Sequence, residues 1–171
     1  MGTCPITHVL QGCNAGIGGS IELYIATFTG SHTITETDNY VSAYTTGSGT
    51  GTPFHTYQPL KNSIIITPAG TNDFSKGENS VDYTLTFRIN TNESGSITAV
   101  DNLKKSITRV IHKGLSGIYK LYGKDNGCTV TAFAGANAIN EGDYVEITLS
   151  MHEQDMPPIV DPTIVPALIA D

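Results

Sequence analysis

The sequence predicts a mainly β protein with an antiparallel β-sandwich or barrel-like core, one flanking α-helix and long loops. In the stretches 81–90 and 144–152, apolar and polar residues alternate with a period of two, which is typical of strands with one buried face. Only 15% of the residues are charged and Trp is absent, as in β proteins rich in turns. The length of 171 residues predicts one domain with its own core.

The charge balance argues against a nucleic-acid-binding protein. The chain has 16 acidic and 9 basic residues and a net charge of −7, whereas phosphate neutralisation requires a basic patch. No apolar run is long enough for a transmembrane helix and the first residues do not resemble a signal peptide, so the protein is expected to stay in the cytoplasm. Three cysteines form no CxxC pair and are expected to be free thiols.

The first part of the chain is predicted to contain short strands and exposed loops. The run 21–26 alternates like a strand, so the glycines of 16–19 lead into a strand and not into a phosphate-binding helix. A short strand is predicted at 40–44, followed by an exposed Gly/Ser/Thr loop at 45–52. Pro59 marks an edge strand or a bulge, because proline lacks the N–H that a central strand donates.

Two further strands, at 63–67 and 81–89, are predicted to flank a long polar hairpin loop at 68–79. The second strand has two chemically different faces, so one is expected to join a core and the other to meet water or a partner. The apolar face consists of Val81, Tyr83, Leu85, Phe87 and Ile89.

One amphipathic helix is predicted from Thr98 to Gly114. Thr98 and Asp101 have the spacing of a capping box, and Lys113 and Gly114 suit a helix C-terminus. The apolar residues that recur at helical spacing are Val100, Leu103, Ile107, Val110 and Ile111.

The stretch 115–153 is predicted to be a three-strand antiparallel meander. Its first connection ends in Asn126-Gly127, the dipeptide that most strongly favours a tight hairpin turn. The last strand is predicted to turn Val145, Ile147, Leu149 and Met151 toward a core and Tyr144, Glu146, Thr148, Ser150 and His152 away from it.

Residues 157–171 are predicted to form an extended C-terminal arm beyond a single domain at 1–156. Prolines disfavour a regular helix or a central strand there, whereas the many Ile, Val and Leu residues distinguish the segment from typical disordered tails. The arm is therefore expected to dock on a neighbouring subunit or on an edge of its own sheet, with disorder as the alternative.

No arrangement of residues typical of catalysis is visible. The five histidines form no HxH or HxxxH pair, and neither a GxSxG elbow nor a Walker-A loop occurs. Carboxylates are spread singly along turns, although residues distant in sequence can still meet in the fold. The sequence therefore predicts no enzymatic activity, no metal site and no cofactor.

The run from GIYKLYG through KDNG to NEGDYVEITLSMHEQDMPP resembles the C-terminal half of tail-tube proteins of long-tailed bacteriophages. In that family a helix precedes a strand ending in Gly, an Asp/Asn-Gly turn, and a last strand that leads into an acidic residue and prolines. The strands SIELYIATFT and SVDYTLTFRI follow the same order upstream. The resemblance implies a structural virion subunit that forms six-fold rings, stacked into a tube through which DNA passes without specific binding.

The resemblance also implies partners and site residues. Strands from each subunit would join an inner barrel, and loops 45–52 and 68–79 would bridge rings together with the arm. The predicted interface residues are Phe74, Lys76, Ile159, Val160, Ile164, Val165 and Leu168. The predicted lumen-facing residues are Asp82, Thr84, Glu146 and Thr148, whose acidic, hydroxyl-bearing surface would repel DNA phosphates. The expected partners are other copies and other phage tail proteins, with no membrane, and the expected location is the virion, after assembly in the host cytoplasm.

Two alternatives remain at this stage. A head–tail connector or a capsid decoration protein would share the virion setting. A monomeric β-sandwich binding module for sugar or protein would use exposed aromatic residues, and Tyr40, Tyr44 and Tyr57 lie near predicted loops.

Overall fold

A computed structural model describes residues 22–47, 53–60, 62–73, 78–91, 94–138 and 142–170 and confirms the mainly β class. Its strands fall into two sheets, neither of which closes into a barrel. The elements in chain order are β1 (Leu23–Thr27), β2 (Thr33–Thr37), β3 (Tyr40–Thr45), β4 (His55–Tyr57), β5 (Ile65–Asp73), β6 (Glu78–Asn90), α1 (Ser94–Lys104), β7 (Thr108–Lys113), β8 (Tyr119–Tyr122), β9 (Thr129–Ala138), β10 (Gly142–Glu153), β11 (Ile159–Val160) and α2 (Val165–Leu168).

The seven-stranded sheet, here the large sheet, has the order β2-β3-β11-β8-β7-β1-β4. The four-stranded sheet, here the small sheet, has the order β5-β6-β10-β9 and is antiparallel throughout. In the large sheet β11 runs parallel to β3, and all its other pairs are antiparallel. No helix among the described residues is long and apolar enough to cross a membrane.

Two apolar clusters lie on opposite faces of the large sheet. The first cluster packs the large sheet against the small sheet and α1, and it contains Leu23, Tyr57, Leu85, Phe87 and Leu149. The second cluster is covered by the C-terminal segment around α2. Burial of both faces explains why β1 is inaccessible along its whole length.

The predicted faces of β6 and β10 are confirmed. Tyr83, Leu85, Phe87 and Ile89 are buried, as are Ile147, Leu149 and Met151, whereas the intervening polar residues lie on the opposite face. The two strands pair over ten positions with Leu85 opposite Leu149, so their apolar residues share one side of the small sheet.

The predicted helix is only partly correct. The helix α1 begins at Ser94 and ends at Lys104, and residues 108–113 form strand β7 instead. The side chains of Val110 and Ile111 enter different apolar clusters on opposite faces of the large sheet, which adjacent residues achieve in a strand. An apolar pair at consecutive positions therefore fits a doubly buried strand as well as a helical stripe.

The predicted meander is wrong at its first turn. Strand β8 belongs to the large sheet and β9 to the small sheet, so residues 123–127, here the corner loop, connect the two sheets. Gly123 and Gly127 have φ of 71° and 76°, which glycine adopts readily. The Asn-Gly dipeptide thus marks a change of sheet. The β9–β10 hairpin is present as predicted.

The predicted loop at 68–79 is also corrected. Strand β5 continues to Asp73 and β6 starts at Glu78, and these two residues are paired in the ladder. Backbone hydrogen bonding does not depend on the polarity of the side chains. Polar residues therefore continue the β5–β6 hairpin beyond the residues that pack in the core.

The prediction for Pro59 is confirmed, because β4 is an edge strand that ends before it.

The C-terminal segment is part of the same fold. Strand β11 lies between β3 and β8 in the interior of the large sheet, and Ile169 forms a parallel bridge with Phe54. The segment therefore docks on the chain's own sheet, as one of the predicted alternatives states, but as a central strand and not at an edge. The strand β11 has only two residues, and the neighbouring prolines lie outside it. These prolines therefore remove no backbone N–H from the ladder, and β11 can occupy a central position.

Candidate functional site on the small sheet

The small sheet has one face against the first apolar cluster and one free face. All four predicted lumen residues, Asp82, Thr84, Glu146 and Thr148, lie on this free face. Thr84 and Asp82 are exposed, and Glu146 and Thr148 are partly exposed. The residues predicted for a channel wall therefore share one contiguous surface.

Hydroxyl groups form the centre of the free face. Thr86 lies opposite Thr148, and their Oγ1 atoms are 3.2 Å apart. The Oγ1 of Thr131 in β9 is 2.9 Å from the Oγ of Ser150. These hydroxyls hydrogen-bond to one another across neighbouring strands. The surface therefore consists of short side chains whose polar groups mostly have a hydrogen-bond partner.

The charged groups of this face occur in pairs. The Nε of Arg88 donates to Glu146 at 2.8 Å, and the same guanidinium lies 4.7 Å from the centre of the Tyr144 ring. His152 Nδ1 and an Asp82 carboxylate oxygen are within hydrogen-bonding distance. The face is therefore less acidic than Asp82 and Glu146 alone predict, because Arg88 offsets one of the two carboxylates.

A shallow groove of about 350 Å³ lies at one end of the free face. Its apolar wall includes Leu60 and the exposed Ile65, and its polar wall includes Arg88, Tyr144 and Glu146. Arg88 is held there by its backbone as well, since its carbonyl accepts from Leu60 N and its N–H donates to Ser63 Oγ.

Both edges of the small sheet are unpaired within the described chain. Strand β9 forms one edge over ten residues and contains no proline and no charged residue. Strand β5 forms the other edge over nine residues, with Pro68 and Asp73 within it. Monomeric proteins usually protect such edges with charges or prolines, so β9 in particular has the composition of an edge that receives another strand.

Few features among the described residues resemble catalytic chemistry. No group of three or more His, Cys, Asp or Glu within them could hold a metal ion. Cys128 is a free, buried thiol whose pKa is raised by burial, so it is protected from reaction in the folded chain. Cys4 and Cys13 lie outside the described residues.

Buried charges fix the corner loop between the two sheets. Arg109 donates from Nε and Nη2 to the Lys124 carbonyl at 3.2 and 3.0 Å, and Lys124 Nζ pairs with Glu36 at 2.9 Å. Below the loop, the carboxylate of Glu153 accepts the backbone N–H of Asp125. Burial is the main reason that the pKa of Glu153 is raised, and it outweighs this hydrogen bond.

The raised pKa of Glu153 predicts a pH effect on stability. Because the folded-state pKa lies above the unfolded value, folding favours the protonated form, and the associated stability is lost as the pH rises through the folded pKa. Replacing Glu153 with Gln should remove this loss, so the difference in urea midpoint between the variant and the parent should grow from about pH 4 to about pH 8. Asp155→Asn, at an exposed neighbouring position, is the control. A constant difference across this range would contradict the prediction.

The predicted interface residues do not form one surface. Val160, Val165 and Leu168 are buried in the chain's own second cluster, so their assignment to an interface between subunits is corrected. Ile164 packs partly against that cluster, and Ile159 is exposed on the other face of β11. Phe74 and Lys76 lie outside the described residues.

Sequence reasoning missed the role of β9. The predicted meander has a middle strand at 128–136, which overlaps β9, but the pattern does not reveal that the strand is an edge. The absence of charge and proline from TVTAFAGANA was the available signal.

No protein-family model matches this chain, and searches of curated proteins and of solved structures also find no match.

Proposed function

We propose that this chain is a structural subunit of a homo-oligomeric ring that stacks into a virion tail tube. In this assembly the small sheets of neighbouring copies join edge to edge around a central channel. The supporting observation is a sheet with two long edges that no described strand pairs, one covered face and one free polar face. Closure between copies pairs the backbone groups of β5 and β9 that are otherwise exposed at an edge.

The strand directions of the small sheet are compatible with this closure. Each pair of neighbouring strands is antiparallel and the strand number is even, so the edge strands β5 and β9 run in opposite directions. Rotation about a ring axis preserves strand direction along that axis. Strand β9 of one copy therefore meets β5 of the next copy in antiparallel orientation, and the ladder pattern continues across the junction.

The free face has the chemistry of a wall along which a polyanion passes. Its hydroxyl-bearing side chains are short and hydrogen-bond to each other, and Arg88 forms an ion pair with Glu146. A DNA phosphate would have to break that ion pair to gain a cation, while Asp82 and Glu146 repel it. Such a wall would guide DNA without retaining it, in agreement with the resemblance to tail-tube proteins.

The test is to place a charge on the free edge. Ala132→Lys adds a cation to the edge strand β9 at an exposed position, and natural sheets use lysines on edge strands to prevent pairing with another chain. We expect the purified parent protein to form rings or tubes by negative-stain microscopy and sedimentation velocity, and the variant to remain monomeric.

The matched control is Thr84→Lys, on the same free face but in the interior strand β6. It adds the same charge to the proposed channel wall without altering an edge, so ring formation should persist. Assembly of Ala132→Lys to the same extent as the parent, or a parent protein that stays monomeric, would contradict the proposal.

A monomeric binding module is the second candidate. The groove beside Ile65, Arg88 and Tyr144 favours it, since it combines an exposed apolar wall with an aromatic ring and charged groups. A monomeric parent protein whose ligand binding is lost on Tyr144→Ala would support this candidate.

A further inference from the structure

The small sheet covers only part of the large sheet. One continuous row of paired residues crosses six strands of the large sheet on the face toward the small sheet: Tyr40, Ile159, Lys120, His112, Leu23 and Tyr57. Leu23 and Tyr57 at one end are fully buried, whereas Tyr40 and Ile159 at the other end are 40% and 39% exposed. The part of this face formed by β2, β3, β11 and β8 is therefore not covered by the small sheet, and we call it the bare half.

Exposed apolar residues continue from the bare half to the β7–β8 turn. Ile118 directly precedes β8 and is 45% exposed, and Leu115 at the turn is 83% exposed. The turn is held tightly, because Gly114 N donates to the Ile118 carbonyl at 2.9 Å and Gly117 N to the Gly114 carbonyl at 2.9 Å. Leu115 is therefore exposed on a turn that backbone hydrogen bonds hold in place.

One lysine lies within this apolar surface. Lys120 is paired with Ile159 and His112 in the row, and it forms no ion pair among the described residues. In contrast, Arg88 and Lys124 are each paired with a glutamate. In a chain with a net charge of −7, a lysine that lies beside apolar residues and has no ion pair among the described residues complements a carboxylate-bearing protein surface.

We infer that the bare half and Leu115 form a second contact surface for another copy of this chain, which joins one ring to the next. The inference rests on the proposed function, because a ring that stacks needs a contact distinct from the two sheet edges used within the ring. Lys120 would meet a carboxylate of the next ring, while Tyr40, Ile159 and Leu115 supply the apolar contact.

The size of the surface favours a copy that is already held in a ring. The strands β2, β3, β11 and β8 have 5, 6, 2 and 4 residues, and at about 3.3 Å per residue and about 4.8 Å between strands they cover roughly 270 Å². A stable isolated pair buries about 800 Å² per partner, so this surface alone is too small for a dimer. When the same weak contact is repeated by every copy around a ring, the contacts act together and can hold two rings to each other. An anionic membrane is disfavoured as the partner, because the chain as a whole is strongly acidic.

The experiment compares ring formation and stacking separately. The double variant Leu115→Ser/Lys120→Glu changes two exposed positions and should leave the fold and the rings intact. We expect the equilibrium constant for adding one ring to a tube, obtained from the ring and tube populations seen by electron microscopy, to fall by about tenfold or more, which corresponds to roughly 1.4 kcal/mol per stacking step. The control Ile97→Ser/Lys105→Glu makes the same chemical changes on or next to α1 and should form tubes like the parent.

The outcomes separate this inference from the proposed function. Single rings of the double variant beside tubes of the parent and the control would support it. Tubes of parental length, or a double variant that is monomeric, would overturn it while leaving the ring proposal in place. Unaltered tubes together with lost binding to anionic vesicles would overturn it in favour of a lipid contact. A parent protein that forms no rings would overturn the proposed function itself.

Discussion

Val160→Asp is expected to destabilise the folded chain by about 4 kcal/mol or more, because it places a carboxylate in an apolar cluster without a partner. Val160 is fully buried in the second cluster, between Val41 of β3 and Tyr119 of β8. A loss of that size approaches the whole stability of a typical domain. Urea denaturation followed by circular dichroism measures it.

Ile159→Asp provides the matched comparison in the same two-residue strand. Ile159 points to the opposite face and is partly exposed, so its replacement should cost only about 1 kcal/mol. Equal losses for the two variants would contradict the central position of β11, since only residue 160 faces the cluster. Loss of structure from Val160→Asp alone would show that the C-terminal segment is required for folding.

Gly123→Ala is expected to cost about 2–4 kcal/mol by combining backbone strain with a steric clash. Gly123 has φ of 71°, and an added Cβ would lie 2.6 Å from Cys128 Sγ and 3.0 Å from Cys128 N. The backbone atom cannot move without disturbing the bridge between Cys128 and Thr108. The corner between the two sheets must therefore deform, which thermal and urea unfolding will detect.

Gly117→Ala separates the two causes. Gly117 has a similar φ of 79°, but an added Cβ would meet no atom within 4 Å. Its replacement should therefore cost only the conformational strain, about 1 kcal/mol. If both variants lose the same stability, then the close approach at the corner loop does not contribute, contrary to the prediction.

The faces of the long strands could be predicted from sequence because one physical pattern determines them. In β6 and β10, residues with a period of two bury one face and leave the other polar, and both strands have this arrangement in the structure. The free face carrying Asp82, Thr84, Glu146 and Thr148 follows directly from the same alternation. The ion pair between Arg88 and Glu146 on this face could not be predicted from the alternation, because cross-strand pairing depends on the register.

One error of prediction comes from a strand buried on both faces. Residues 108–113 lack alternation because Val110 and Ile111 each enter a cluster, and their spacing also matches a helix. Residues 159–160 have another explanation, since the neighbouring prolines disfavour a central strand and concealed this one. The dipeptide Asn126-Gly127 does lie in the connection between two strands, but local sequence does not specify which sheet the next strand joins.

The position of β11 has a consequence for the order of folding. Strands β3 and β11 are neighbours in the large sheet, although most of the described chain separates them in sequence. The β2–β3 hairpin therefore cannot join β8 until the segment around residue 160 is available to lie between them. Pairing over such a sequence distance slows folding, and a newly synthesised chain has to extend past residue 160 before this layer can close.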